Sequence, residues 1–316
     1  MEQTKPKFSI VVGVLNQFPL VKQSINLMCA NVVDKANTEL IIIDNGSDTP
    51  FDLQMLDGEP IIQSRVIRNE LNTGNYPLFK QGLEAARGDV IAFLHSDVFV
   101  YEAGWDQKVR AQFEANENLG LVGFIGSTEI DSWGGRGMGT HSNMMGSTIH
   151  GDGRQWTGSK AEVHGKRDTG FVIDGSVVDG CVMIFRKNVL EKIEHIETLP
   201  PHHFYDRIMS VQTVEAGYKV AIMGIEFDHV SGQVANQESK WQDTSKEWFE
   251  RVKGITSPQQ WAEVNAGWVN ASNNPSRGKV PDQWDYCAYL EAERMFLQEY
   301  RDNKHLVPMV YGKPVV

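Results

Sequence analysis

Three clusters of polar side chains each come directly after an apolar run in the first hundred residues. They are Asn16, then Asp44-Asn45-Gly46-Ser47, then His95-Ser96-Asp97. A carboxylate buried beside a strand without a partner costs several kcal/mol or shifts its pKa. Each cluster therefore either ends its strand or binds a ligand. Turn formation explains any single cluster, because Asn, Asp, Gly and Ser favour turns, but three in succession favour a ligand site.

The elements that must position these clusters follow from the apolar pattern. Three β-branched runs are typical of buried parallel strands, and they span 8–15, 40–44 and 89–94. The pattern predicts helices over 18–33 and 76–88, the second ending at Gly88. Alternating strands and helices indicate a doubly wound α/β sheet, whose ligands bind at the carboxyl ends of the strands. The three clusters are thus predicted to meet at one edge of the sheet.

A long glycine-rich segment interrupts this pattern at 131–170. A loop of that length inside a compact domain is usually a lid or a binding loop. Its histidines, His141, His150 and His164, match no known spacing of metal ligands, which favours surface or substrate-contacting roles.

Regular structure resumes after this segment. The pattern predicts a strand that runs into a helix at 176–193, then a helix from about Asp206, a turn at Gly217 and a further strand. We divide the chain into a main α/β domain at 1–239 and a mainly helical C-terminal extension at 240–316. The tryptophan-rich extension is expected either to pack onto the main domain or to form an interface, including one between copies of the chain.

The bulk composition narrows the class of protein. The chain has 316 residues, 41% of them hydrophobic and 22% charged, with a formal net charge of -11. This acidity disfavours a broad phosphate-binding surface for nucleic acid. Three distant cysteines without a CxxC pair suggest neither a disulfide framework nor a thiolate zinc site. No signal peptide and no run of about 20 apolar residues is evident, so we expect a cytoplasmic protein without integral membrane contact.

An ordered set of motifs gives a more specific indication. IVVGVLNQ, IIIDNGSD, NELNTGNYPLFKQGLEAARGDVIAFLHSD, DGCVMIFRK, FYDRIM and FDHVSG follow one another across about 8–233. This succession resembles the family 2 glycosyltransferases with the GT-A fold, especially the rhamnosyltransferase-like branch. The resemblance implies a Rossmann-like doubly wound mixed sheet. It also implies an inverting, metal-dependent transfer of a sugar from a UDP-, GDP- or dTDP-linked donor to an acceptor hydroxyl.

The same resemblance assigns a donor-binding set. Its members are Asn16, Asp44, Ser47, Asn72, Gly74, Asn75, Ser96 and Asp179. Asp44 would accept a hydrogen bond from the imide N–H of the base. The loop that contains Asn72 and Gly74 would lie beside the sugar nucleotide, although an ordinary turn also explains it. Asp179 would lie near the donor or acceptor sugar, or else it is a simple turn residue.

The resemblance assigns the metal to Asp97, which occupies the last position of a DxD-like motif. Asp97 would bind Mn2+ or Mg2+ through a hard oxygen, and the cation would bridge the donor diphosphate. His95 stands where many relatives have the first acid, which lowers the metal affinity or tilts it toward Mn2+. His229 matches a histidine that often completes the metal or phosphate site, but a hydrogen-bonded histidine at a strand end fits equally well.

Asp206 is the candidate catalytic base, since it matches the acidic motif of the family at a helix start. The helix macrodipole stabilises negative charge there, and an N-cap aspartate is a compatible alternative. Trp133 and Arg136 lie in the glycine-rich segment, where an indole can stack on a sugar and a guanidinium can meet a phosphate.

Two other functions compete with this interpretation. A sugar-phosphate nucleotidyltransferase would also use an α/β sheet and a metal, but VLNQFPLV lacks the glycine-rich phosphate loop with Lys or Arg that such an enzyme has after its first strand. A catalytically degenerate module could bind carbohydrate or nucleic acid through the C-terminal tryptophans. The sequence leaves the acceptor open among a glycan, a lipid-linked sugar, a protein and a modified DNA base.

Overall fold

The computed structural model describes residues 6–57, 61, 63–136, 146–150, 162–166, 169–231, 238–271 and 283–315. The strands are β1 Phe8–Val14, β2 Thr38–Asn45, β3 Gln63–Asn69, β4 Val90–His95, β5 Val98–Val100, β6 Leu119–Gly123, β7 Gly126–Ser127, β8 Glu129–Ile130, β9 Gly146–His150, β10 Glu162–Lys166, β11 Val172–Gly175, β12 Val177–Val178, β13 Val182–Arg186, β14 Lys219–Met223, β15 Phe227–Ser231, β16 Met309–Val310 and β17 Lys313–Pro314. The α-helices are α1 Phe18–Ala30, α2 Tyr76–Ala85, α3 Trp105–Ala115, α4 Lys187–Leu190, α5 Tyr205–Glu215, α6 Glu238–Trp248, α7 Pro258–Val264, α8 Ala266–Ala271 and α9 Trp284–Phe296. Two π-helical segments extend α6 and α9, and they span Phe249–Lys253 and Leu297–Asn303.

A mixed central sheet forms the core of the described part of the chain. Its eight strands lie in the order β11-β14-β6-β13-β4-β1-β2-β3. The four strands from β1 to β4 pair in parallel, whereas β13 lies antiparallel between β4 and β6. This sheet, with helices on both of its faces, confirms the predicted α/β fold class.

The sequence explains why the central strands are buried. Each residue of β2 is buried, and β1 is buried at all but one position, as a sheet covered on both faces requires. The chain leaves β1 through Asn16 and Gln17, whose left-handed φ angles of 53° and 50° turn it sharply into α1. The predicted helix stop at Gly88 is wrong, because α2 ends at Ala85 and the Gly88 N–H donates to Ser9 Oγ at 2.9 Å.

The C-terminal segment packs against the main sheet. Phe296 and Tyr300 join the buried cluster that contains Ile91 of β4, and Met309 of β16 pairs with Ile130 of β8. A separate cluster around Trp248 and Trp261 holds the C-terminal helices together. The described helices include none with the length and apolarity that a bilayer crossing requires.

A buried carboxylate ties the amino ends of the central strands together. Glu39 of β2 is fully buried, and it accepts hydrogen bonds from Ser9 Oγ at 2.7 Å, Arg65 Nη1 at 2.7 Å and the Arg87 N–H at 2.6 Å. Burial alone would raise the pKa of Glu39, but these donors outweigh it and lower the pKa below its ordinary value of 4.5. The charged carboxylate therefore stabilises the folded state.

We expect Glu39→Gln to lower the free energy of unfolding by about 2 kcal/mol at pH 7, since charge-assisted hydrogen bonds to a buried carboxylate are lost. The folded pKa of Glu39 is lowered, so its contribution is present above the ordinary pKa of 4.5 and disappears as the pH falls. Urea unfolding at pH 7 and at lower pH should show the difference between the two proteins shrinking on acidification.

The matched control is Glu114→Gln, because the Glu114 side chain is 71% exposed and its ion pair with Arg110 is loose, at 3.7 Å. Equal stabilities of Glu39→Gln and Glu114→Gln across this pH range would contradict the proposed role of Glu39.

Candidate active site

The polar cluster His95-Ser96-Asp97, at the end of β4, lies against the start of β13. Leu94 pairs with Val182 in the sheet, so the backbone N–H of His95 donates to the Cys181 carbonyl at 2.9 Å. The Nε2 atom of His95 lies 3.0 Å from the hydroxyl oxygen of Tyr205, at hydrogen-bond distance. The sheet register and α5 together fix the imidazole at the carboxyl end of β4.

A cluster of metal-ligand atoms forms at this edge. His95, Asp97 and His229 each offer a ligand atom, and these atoms lie within 4.8 Å of one another. His229 comes from β15, which pairs antiparallel with β5 so that His229 stands opposite Val98. Asp179, Cys181 and His229 form a second such group that shares His229. Oxygen and imidazole donors in this arrangement fit a divalent cation such as Mn2+.

The charges in this cluster compensate one another. Asp97 Oδ1 lies 3.3 Å from His229 Nε2. Burial alone would raise the pKa of Asp97, but the charge and hydrogen bond of His229 outweigh it and lower that pKa. Burial opposes charge on His229, yet Asp97 raises the pKa of this imidazole. Burial lowers the pKa of His95, which favours its neutral form. A cation bound here would compete with the proton on His229.

A second ion network lies beside the first. Arg136 Nη1 donates to Asp179 Oδ2 and lies 3.6 Å from Asp206 Oδ2. Burial opposes charge on Asp179, but Arg136 holds the pKa of this carboxyl well below its usual range. Asp206 lies in the first turn of α5, where its Oδ1 accepts the Arg207 N–H at 2.8 Å. The structure thus brings the predicted base and the predicted lid arginine into one cluster.

A cavity of about 410 Å³ opens next to the metal-ligand cluster. Its wall includes five of the residues that the sequence predicted for the site, namely Asn72, Asn75, Ser96, Asp97 and His229. Val11, Phe79 and Phe93 give it an apolar floor. An apolar floor with a few polar groups at the rim is typical of small-molecule sites.

Other predicted donor residues lie behind the cavity wall. Asp44 is fully buried, and its oxygens accept the N–H groups of Ser47 at 3.0 Å and Phe51 at 2.8 Å as well as the Arg68 guanidinium. The Asn16 N–H donates to Ser47 Oγ at 2.8 Å, which joins the ends of β1 and β2. None of Asp44, Ser47 and Asn16 is among the described residues that line this cavity. The contact of Asp44 with the base stays a prediction.

Gly74 has a structural reason to be glycine. Its φ of 85° is left-handed, and a Cβ at this position would lie 2.2 Å from the Cβ of Pro201. The loop before α2 can therefore press directly against the segment that leads to α5. Gly74 shapes the wall without contributing a side chain.

Trp133 faces the C-terminal region. Its indole lies under the Arg301 guanidinium at 5.4 Å, and Arg301 Nη1 donates to the Ser132 carbonyl at 3.2 Å. Trp133 is not among the described residues that line the cavity, and its stacking on a sugar stays a prediction.

The glycine-rich segment at 131–170 contains regular structure that the sequence did not predict. Strands β9 and β10 pair antiparallel within it, and His150 and His164 belong to these two strands. His141 lies outside the described residues. The expected continuous loop is therefore interrupted by a pair of strands.

Asn45 lies in the second polar cluster, but the family resemblance did not assign it a role in the site. Its Nδ2 donates to Asn72 Oδ1 at 2.9 Å and to the Gly74 carbonyl at 3.2 Å. Its Oδ1 accepts from Asn69 Nδ2 at 3.0 Å and from the Thr73 N–H at 3.1 Å. One buried amide thus holds the loop that supplies Asn72 to the cavity. Its place directly after a strand in IIIDN was the available signal.

Comparison with known proteins gives the class of this chain. The pattern of glycosyl transferase family 2 matches residues 9–194, which is more than half of the chain. The protein therefore belongs to glycosyl transferase family 2. Among curated protein sequences, none matches the chain.

Solved structures similar to this chain include that of a mannosyltransferase. This is the mannosyltransferase PcManGT from Pyrobaculum calidifontis, solved in complex with GDP-Man and Mn2+. The two share 12% sequence identity, and the match covers 93% of this chain and 70% of the other, with a TM-score of 0.48.

We expect Asn45→Asp to lower the affinity of the cavity for a nucleotide sugar at least tenfold. The new carboxylate oxygen would face Asn72 Oδ1 and the Gly74 carbonyl, replacing two favourable hydrogen bonds by repulsion, at a cost of about 2 kcal/mol. Isothermal titration of the variant with sugar nucleotides and Mn2+ measures the change.

Asn116→Asp is the matched control, since Asn116 is exposed and its side-chain amide donates to the Gln112 carbonyl one turn earlier at 3.1 Å. Nucleotide affinity that is unchanged in Asn45→Asp would show that the loop does not depend on Asn45.

Proposed function

We propose that this protein is an inverting, metal-dependent glycosyltransferase that moves a sugar from a nucleotide-diphosphate sugar to an acceptor hydroxyl. Membership of glycosyl transferase family 2 supports the transfer of an activated sugar. The observation that carries the proposal is the pair Asp97 and His229, 3.3 Å apart at the carboxyl end of β4 and on the wall of the cavity. The rhamnosyltransferase-like branch stays a prediction based on motif order.

The metal would be held by Asp97 and His229, with His95 as the third ligand. Two imidazoles beside one carboxylate favour Mn2+ over Mg2+, because Mg2+ prefers oxygen ligands. When bound, such a cation supplies the positive charge that stabilises a departing diphosphate. The neutral form of His95, which burial favours, is the form that can ligate.

The donor would occupy the cavity of about 410 Å³. The amides of Asn72 and Asn75 and the hydroxyl of Ser96 offer hydrogen bonds to the sugar and the phosphates. The apolar floor would accept the faces of the base or sugar. A UDP-, GDP- or dTDP-linked sugar meets these requirements.

Asp206 is the proposed base. It would take the proton from the attacking acceptor hydroxyl while that oxygen bonds to the anomeric carbon and the bond to the diphosphate breaks on the opposite face. Arg136 contacts both Asp206 and Asp179, so it would hold the base in position and meet negative charge on the acceptor side.

The first prediction from this proposal concerns the metal. We expect Asp97→Asn to weaken Mn2+ binding at least tenfold, since it removes the one charged oxygen ligand of the cluster. Electron paramagnetic resonance of free Mn2+ measures binding without any turnover. Asp302→Asn, at an exposed site distant in sequence, is the control. Equal Mn2+ affinity in Asp97→Asn and the wild type would contradict the metal assignment.

The second prediction concerns the base. We expect Asp206→Asn to lower turnover roughly 100-fold or more, which is the usual contribution of a general base. Donor affinity should stay within about twofold, because Asp206 is not among the described residues that line the cavity. Steady-state kinetics and nucleotide titration separate the two quantities. A fully active Asp206→Asn protein would exclude Asp206 as the base.

A further inference from the structure

A second and larger cavity lies between the C-terminal helices and the main domain. Its volume is about 750 Å³, and its walls come from 71–77, 195–201 and the end of α6 with its π-helical extension. Asn72 lines both this cavity and the first one. Asn72 Oδ1 accepts from Asn45, while its Nδ2 donates to Thr244 Oγ1 of α6 at 3.0 Å. The two cavities are thus neighbours that share one polar side chain.

Aromatic and apolar side chains form the inner wall of this cavity. Tyr76 stacks on His195 with the ring centroids 4.5 Å apart and an angle of 18°. Trp248 and Pro201 also line the cavity. Leu71, which is exposed, and Pro77 and Ile196, which are half-buried, line the same cavity. Apolar surface of this kind suits the C–H faces of pyranose rings, since apolar contact is gained without a charged partner.

A buried hydrogen-bond donor in this wall has no acceptor in the described part of the protein. Trp248 is only 3% exposed, and its Nε1 is buried without a hydrogen-bond partner. Leaving such a donor unsatisfied costs free energy. An oxygen of a bound ligand would remove that cost, so this indole points to an occupant that carries hydroxyl groups.

The charges at the rim select the class of ligand. Glu247, Glu250 and Arg251 are exposed around the opening, and Glu197 is exposed opposite them. Lys80 pairs with Glu197 at 3.8 Å and Lys246 pairs with Glu250 at 3.9 Å. The rim therefore carries little net charge, which offers no electrostatic gain to an anionic ligand such as a diphosphate lipid or a nucleic acid. Carboxylates accept hydrogen bonds readily from neutral hydroxyl groups.

We propose that this second cavity binds the neutral, non-reacting sugar units of a carbohydrate acceptor. The inference rests on the proposed transferase function, because the acceptor would extend past Asn72 toward the donor cavity. Two side chains are expected to determine its affinity: Trp248 through its indole N–H, and Glu247 through hydrogen bonds to hydroxyl groups.

The test uses the full-length protein on an immobilised array of neutral and acidic glycans of one to six sugar units. We expect selective binding of neutral glycans, and titration with the strongest binder should show about tenfold weaker affinity for Trp248→Phe and for Glu247→Gln. Trp248→Phe keeps an aromatic ring while it removes the N–H. Asp243→Asn is the matched control, since Asp243 is exposed on the same helix and does not line the cavity. Circular dichroism confirms that each variant is folded.

A separate assay keeps the two proposals distinguishable. Release of nucleotide from UDP-, GDP- and dTDP-sugars by wild-type protein with Mn2+, measured with water and with the array glycans in solution as the possible sugar acceptors, tests the transferase function separately from glycan binding. Three results would overturn the assignment of this cavity even if the donor is cleaved. They are no glycan binding at all, glycan binding that is equal in all variants, and a preference for acidic glycans. Glycan binding that both variants weaken, without donor cleavage, supports the cavity and overturns the proposed transfer.

Discussion

The candidate site depends on how this fold neutralises carboxylates that it buries at the carboxyl ends of its strands. Asp97 lies against His229, and Asp179 accepts from Arg136. A buried carboxylate left without such a partner would be strongly destabilising. The pairing of β15 with β5 sets His229 opposite Val98, so the strand register itself determines the separation of the first pair. In the free protein, His229 and Arg136 supply the positive charge next to these carboxylates. In the proposed reaction, a metal ion would supply positive charge beside Asp97.

The two ends of the central sheet use buried carboxylates for different purposes. At the amino end, Glu39 is enclosed by Ser9, Arg65 and Arg87, and this network lies away from the cavities. At the carboxyl end, the acids stand beside a cavity and within reach of titratable imidazoles. Asp44 also lies at the carboxyl end, and its hydrogen bonds to the N–H groups of Ser47 and Phe51 hold together the loop that follows β2. Rigid support under a site is what preorganised catalysis requires.

Local pattern was sufficient to predict the strands β1, β2 and β4 and the helix α1, because continuous apolar runs and helical periodicity are properties of neighbouring residues. The resemblance to family 2 glycosyltransferases, rather than local pattern, singled out Asp97, His229, Asn72 and Asn75, which the structure places on one cavity. The burial of Asp44 was not predictable in this way, since it depends on Arg68 from the next strand.

Contacts between distant segments account for the other omissions. Asn72 and Thr244 are 172 residues apart, and His95 and Tyr205 are 110 apart, so no local pattern indicates that they meet. The second cavity forms only because the C-terminal helices fold back onto the main sheet. The helix stop at Gly88 was wrong because close packing rather than a left-handed turn explains that glycine.

In the proposed reaction, a divalent cation binds between Asp97 and His229 and neutralises the donor diphosphate. A crystal grown with Mn2+ and a nucleoside diphosphate, measured at the manganese absorption edge, tests it most directly. We expect one anomalous peak within bonding distance of the Asp97 carboxylate, the His229 imidazole and the phosphate oxygens. Nucleotide bound in the cavity without an anomalous peak at this position, and with Asp97 still paired to His229, would contradict it.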